Sequence, residues 1–179
     1  MTTSLSPVDL LAIGPHPDDI EIGIGGLVAK HVALGHQVGL CDLTAGEMGS
    51  NGTVTERLAE ADAACDVLGA AWRINLRLPD RALGREADQM RAIAGLVRKA
   101  QPRVVAVPYW SDRHPDHVAA SHLLTEPASP EVTLPIYIPY FGCIYISFYI
   151  QYDGATSERR FPWSSKRCHP TKRSRTGDR

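Results

Sequence analysis

LAIGPHPDD (residues 11–19) and RHPDH (residues 113–117) decide how this chain is read. Each follows an apolar run, Asp9–Ile13 in the first case and Val104–Val107 in the second. Each ends in a turn that gathers imidazoles and carboxylates around a proline. Short apolar runs closed by turn residues are strand-like, and open α/β sheets collect their ligands at the carboxyl ends of strands. Proline fixes its own φ and restricts the residue before it, so both turns have few conformations available. Such rigidity suits a metal site, where ligand geometry must exist before the ion arrives. His16 and Asp19 stand three apart across the first turn, and His117 completes a two-histidine, one-aspartate set from the second. Three N/O ligands with one position open is the pattern of catalytic zinc, whereas structural zinc is usually closed by cysteines. The plainer alternative is helix capping, with Asp18 or Asp19 as N-caps and His114 and His117 on the surface.

Outward from these turns the chain alternates between strand and helix patterns. Glu21–Leu34 has helical apolar spacing and is stopped by Gly35; Gln37–Leu43 is a second strand. Residues 45–53, AGEMGSNGT, hold too many glycines for a helix and form a loop at that strand's carboxyl end. Thr55–Leu68 is helical with Gly69 after it, Ile74–Leu78 is a short strand closed by Pro79-Asp80, and Asp88–Ala100 is helical. Val104–Pro108 is the fourth strand, and His117–Leu124 opens a helix. The expected fold is α/β, a Rossmann-like parallel sheet with helices on both faces. Right-handed crossovers bring the ends of the first and fourth strands to one edge of the sheet, where both histidine turns meet.

PHPDDIEIGIGG together with PYWSDRHPDH resembles the PIG-L/LmbE-like family of zinc-dependent N-deacetylases. LTAGEMGSNGT, VTERLAEA and INLRLPD resemble the branch that deacetylates N-acetylglucosaminyl malate in bacillithiol biosynthesis; the likeness runs from about Asp9 to Leu124. Other members act on mycothiol precursors, chitooligosaccharides and glycolipids. The resemblance implies a metal-dependent hydrolase of an N-acetyl sugar conjugate, with full-length relatives as homo-oligomers. Zinc held by His16, Asp19 and His117 lowers the pKa of its bound water from 15.7 to about 7 and polarises the amide carbonyl. By resemblance Asp18 is the general base, a role typically worth roughly 10²–10⁴ in rate. His114 could stabilise the oxyanion and help protonate the departing amine, and Asp116 could hold an imidazole in the needed tautomer. Glu47 and Met48, in the glycine loop, stand where sugar hydroxyls would be gripped. Arg57 matches the arginine that family members direct into the site, and a planar fork suits the carboxylates of a malyl aglycone. Asp112 and Arg113 are read as rim or substrate contacts, or else as a solvated pair.

Composition sets the bounds. At 179 residues and 44% hydrophobic content, the chain is long enough for one domain with a proper core. Residues 1–150 carry 11 basic and 17 acidic side chains, so this body gives no electrostatic reason to expect nucleic acid. Cys41, Cys65, Cys143 and Cys168 show no CxxC spacing and read as thiols of a reducing compartment. No apolar run approaches the roughly 20 residues that span a bilayer, and the N-terminus lacks a signal-peptide pattern. The expected location is cytoplasmic, without membrane contact.

The character changes after Leu124. Ile136–Ile150 is an uncharged β-branched and aromatic run that could be a strand pair, and it contains much of the chain's aromatic content. Ser164–Arg179 is polar, basic and poor in apolar residues, a composition that does not fold by itself. The chain therefore divides into a deacetylase-like core, residues 1–126, and an atypical tail, residues 127–179. A shifted reading frame or a truncated gene near residue 127 would account for the change, and it would bring a second functional reading, a metal-binding remnant with impaired catalysis. A third comes from Gly23, Gly25, Gly26 and Asp42, which mimic a dinucleotide fingerprint. Their spacing is wrong for it, because the glycines stand too far after the strand.

Overall fold

The computed structural model describes residues 5–125 together with 132–138 and 146–151. Four parallel strands, β1 (Leu10–Gly14), β2 (Val38–Thr44), β3 (Trp72–Leu78) and β4 (Val104–Pro108), alternate with four helices. The helices are α1 (Asp19–Ala33), α2 (Val54–Leu68), α3 (Ala87–Ala100) and α4 (Pro115–Thr125). The sheet continues beyond β4 into an antiparallel pair, β6 (Ile146–Gln151) and then β5 (Val132–Ile138), giving the order β3-β2-β1-β4-β6-β5. The strand pair expected within 136–150 is therefore present, with β5 beginning at Val132. The tail 164–179, Cys143 and Cys168 lie outside the described residues.

β1 shows why these residues make a central strand. All five of its residues are buried, and alternate ones serve different layers. Leu10 and Ala12 pack with Ile20, Ile24 and Val28 of α1 and Cys65 of α2. Leu11 and Ile13 pack with Ile93 and Leu96 of α3 and Leu123 of α4. A strand covered on both faces needs the continuous apolar run that the sequence provides. The chain lays β1, β2 and β3 outward in one direction and then returns to place β4 on the other side of β1, with Leu10 beside Val104 and Ala12 beside Ala106. The strand order thus reverses between β1 and β4, the position at which such sheets bind ligands.

Helix starts fall slightly earlier than periodicity places them. α1 begins at Asp19, two residues before Glu21, because the HPDD turn runs straight into it. α2 begins at Val54 with Thr53 as its N-cap. The Thr53 hydroxyl accepts from the Glu56 amide and the Glu56 carboxylate accepts from the Thr53 amide, a capping box written in the sequence as T-x-x-E. Gly35 and Gly69 follow α1 and α2 with φ of 82° and 71°, the left-handed residue that ends a helix.

Asp42, the acidic residue of the dinucleotide reading, is spoken for. Its side chain is 1% exposed and accepts from Nε and Nη2 of Arg73 at 2.9 and 2.8 Å, while the same guanidinium reaches Glu21 on α1 and the Ala61 carbonyl on α2. Gly23, Gly25 and Gly26 lie inside α1 rather than at its start. No nucleotide subsite is left between them. Removing one partner of a buried ion pair strands the other, at a cost of about 3–5 kcal/mol. Arg73→Ala should therefore lower the urea midpoint by that amount of stability, and an unchanged midpoint would contradict the clamp.

Candidate metal centre and active site

Both histidine turns sit at the carboxyl ends of β1 and β4. Gly14 closes β1, and a Cβ there would come within 3.1 Å of both Asp19 Cβ and Ile20 Cγ1, so glycine lets the start of α1 lie against the strand end. Pro115 opens α4 at its first helical position, where a missing N–H costs nothing. His16 and Asp19 therefore arrive from the start of α1, and His114, Asp116 and His117 from the start of α4.

The Asp19 carboxylate stands between two imidazoles. Its Oδ2 is 3.2 Å from His16 Nδ1 and also accepts the His16 backbone N–H at 2.9 Å; its Oδ1 is 3.3 Å from His117 Nε2. Around a tetrahedral ion with bonds of about 2.0–2.1 Å, neighbouring donors stand roughly 3.3 Å apart, which is the spacing of each imidazole nitrogen from the Asp19 oxygen it faces. Each imidazole gives its other nitrogen to carboxylates. His16 Nε2 meets Asp80 Oδ1 and Asp116 Oδ2, both at 3.1 Å, and His117 Nδ1 meets Asp112 Oδ2 at 3.2 Å. Carboxylates on the far nitrogen are how metal-binding histidines are oriented. Taking one donor atom from each residue, two groupings lie within 4.8 Å, His16 with His114 and His117, and His16 with Asp80 and Asp116. The second groups the carboxylates on His16 Nε2, the orienting side.

Charge follows this arrangement. Burial opposes charging His16, but Asp19, Asp116 and Asp80 outweigh it and raise the imidazole from 6.5 to about 9. Burial opposes charging His117 as well, and Asp19 and Asp112 raise it. Asp19, though buried, is held well below the usual carboxylate range by its two histidines. Asp18 goes the other way: burial and the neighbouring Asp19 raise it, with Arg57 and His16 offsetting part of the rise.

Asp18 occupies the N-cap position of α1 yet makes no side-chain capping bond, and its carboxylate is 59% exposed. The capping alternative therefore does not account for its side chain. His114 Nδ1 accepts the Asp116 backbone N–H at 3.2 Å, which in the neutral ring leaves the proton on Nε2 as a donor. Asp116, 2% exposed, accepts from the Arg81 amide besides contacting His16, as expected of a residue that fixes a tautomer.

The residues expected to face substrate are more scattered. Glu47 Oε1 accepts the Asp80 amide and the Met48 amide donates to Asp80 Oδ2, so the glycine loop is tied to His16 through Asp80; the Met48 side chain is exposed. Arg57 donates to the carbonyls of Gly46 and Pro17 and lies 3.6 Å from Asp18. Arg113 is exposed and lines a depression with Arg85 and His122, beside the donor cluster rather than in it. Asp112 is not a rim residue: it holds His117 and accepts the His114 amide at 2.9 Å. Sequence reasoning misses Asp80 as a site residue; its signal is its place at the carboxyl end of β3, after Pro79. A small cleft of about 70 Å³ opens beside Asp19 and His117, with Ile13, Ile22, Ala106 and Pro108 in its walls.

The fold and the sequence of this chain match known proteins. A structure of a conserved protein from Thermus thermophilus superposes with a TM-score of 0.63 at 48% identity, over 65% of this chain and 53% of that one. Diacetylchitobiose deacetylase of Thermococcus kodakarensis is 34% identical over 67% of this chain and 49% of its own length. A 1D-myo-inositol 2-acetamido-2-deoxy-alpha-D-glucopyranoside deacetylase of Saccharopolyspora erythraea is 30% identical over 73% of this chain and 56% of its own. The chain spans about half the length of these two relatives. Residues 11–128 match the PIG-L family, described as GlcNAc-PI de-N-acetylase, and the chain belongs to that family.

Proposed function

We propose that this chain is a zinc-dependent deacetylase that hydrolyses the N-acetyl group of an N-acetylglucosamine derivative. The observation that carries the reading is the Asp19 carboxylate between His16 Nδ1 and His117 Nε2 at the β1–β4 switch point, next to an Asp18 whose side chain caps nothing. His16, Asp19 and His117 would hold the ion, which when bound supplies Lewis acidity and eases ionisation of water. Asp18 takes the proton of the attacking water and later passes it towards the amine. Its raised pKa brings it closer to the range in which a carboxylate both accepts and releases protons. His114 points an Nε2–H donor at the charge that develops on the carbonyl oxygen. Asp116 with Asp80, and Asp112, keep the two ligand rings in register. The apolar cleft beside Asp19 suits an acetyl methyl, and Glu47, Met48 and Arg113 form the sugar-facing side.

N-acetylglucosaminyl malate is the substrate we favour, because the AGEMGSNGT and INLRLPD segments resemble the bacillithiol branch and because Arg113 lies in a depression with a second arginine. Chitooligosaccharides and inositol-linked N-acetylglucosamine, named for the relatives, are the alternatives. Purified chain with zinc, assayed on all three for released acetate, decides among them. Chain that binds zinc but releases no acetate from any of them would favour the catalytically impaired remnant.

His16→Ala and His117→Ala should each abolish stoichiometric zinc by elemental analysis; full occupancy in both would sink the ligand set. Asp18→Asn keeps the shape and removes the basic site. It should keep zinc and lose roughly 10²-fold or more in turnover, and activity within a few-fold of the parent would place the base elsewhere.

Metal removal should expose the histidine charge. A group whose pKa is raised on folding adds stability that is fully present below its unfolded value and lost as pH climbs through the folded one. For His16 that window runs from 6.5 to about 9. Chelator-treated protein should thus lose Tm steadily across it. Zinc requires the neutral ring and should flatten the loss. A Tm independent of pH in chelator would refute the charged cluster.

A further inference from the structure

The geometry points to Arg57 as a positioning residue that holds the Pro17–Asp18 backbone, and with it the Asp18 carboxylate, in a conformation the turn would not keep by itself. This rests on the reading of Asp18 as the general base. Asp18 has φ 112° and ψ −26°, a region that non-glycine residues occupy at a cost of about 1–3 kcal/mol and only where their surroundings impose it. The Asp18 side chain makes no capping bond, and the helix holds only its carbonyl, through the Ile22 amide at 2.9 Å. Arg57 adds a hold from outside the helix. Its Nη2 donates to the Pro17 carbonyl at 2.8 Å and stands 3.6 Å from Asp18 Oδ2, while Nη1 donates to the Gly46 carbonyl at 3.1 Å. One planar fork therefore ties the catalytic turn to the glycine loop.

Two further features are explained by this strut. A Cβ at Gly46 would lie 2.0 Å from Arg57 Nη1, and one at Gly49 would lie 2.8 Å from it. Gly46 has a positive φ that calls for glycine on its own account; at Gly49, which does not, the Arg57 guanidinium and the Gly46 carbonyl, 3.0 Å from such a Cβ, together take the space. The helix also gives no reason for a cation at this place. Arg57 lies in the opening turn of α2, where the backbone dipole disfavours positive charge, and only 16% of its side chain is exposed. Had its task been only to meet a substrate carboxylate, the Pro17 contact would be unnecessary.

The test uses the zinc-loaded chain with Arg57→Gln and Gly49→Ala, each alone and each combined with Asp18→Asn, assayed on N-acetylglucosaminyl malate. A positioning role predicts that kcat falls by about 10- to 100-fold while KM stays within about twofold. It also predicts that neither change lowers turnover further once Asp18 is asparagine, because coupled residues are not additive. Hydrogen exchange followed by mass spectrometry should show faster exchange in residues 14–20, with the rest of the sheet unchanged. A rise in KM at constant kcat would instead assign Arg57 to substrate binding and overturn the inference. So would additivity with Asp18→Asn, or unchanged exchange at residues 14–20 in both variants. If Asp18→Asn alone keeps its activity, the general-base reading fails, and the exchange measurement still decides whether Arg57 holds the turn. Should the parent chain show no turnover, exchange decides alone.

Discussion

The Asp19 carboxylate contacts two imidazoles that the chain delivers from opposite sides of a strand crossover, and the rest of the site is arranged to make that contact possible. Gly14 lets α1 begin close to the end of β1, which puts Asp19 at the mouth of the crevice. The return of the chain to β4 places His117 on the other side. Without a cation between them, the two rings can be charged and the carboxylate satisfied. In the proposed metal-bound state the same three groups would be the ligands, and protons would leave as the ion enters.

Around this centre the acidic residues divide the work by environment. Asp112, Asp116 and Asp80 are tied to ring nitrogens and backbone amides, so they serve as fixed orienting groups. Asp18 is one residue from Asp19, and yet the left-handed turn of its backbone sends it out of the ligand set. Two adjacent aspartates thus acquire different environments from a single unusual φ angle. A helix that simply started at Asp18 would have spent that carboxylate on its own amides.

Much of the fold is legible in the sequence because burial on both faces leaves a plain trace. The runs ending at Ile13 and Val107 read as central strands, and the glycines after α1 and α2 read as stops. The paired turns announce His16, Asp19 and His117 as one cluster. Boundaries move where a local motif outweighs periodicity: the Thr53–Glu56 capping box starts α2 at Val54, and β3 opens at Trp72, ahead of Ile74. Asp80 and the task of Asp112 are not legible. Asp80 reaches His16 across 64 positions, through a turn whose direction no periodicity encodes. Asp112 reads as a solvent-facing neighbour of Arg113 because nothing in linear order shows that it turns back under His117.

The pairing of Leu10 with Val104 has a kinetic consequence. Closing a loop of that size before any contact rewards it makes the β1–β4 junction a late event in folding. His16, Asp19 and His117 are not brought together until that junction exists, so an ion held by them would not guide the early collapse. It can act only on a chain already close to native. Its stabilisation should then appear chiefly as slower unfolding, with the folding rate little affected. For a cell, the metal would lengthen the lifetime of the finished protein more than it would hasten its production.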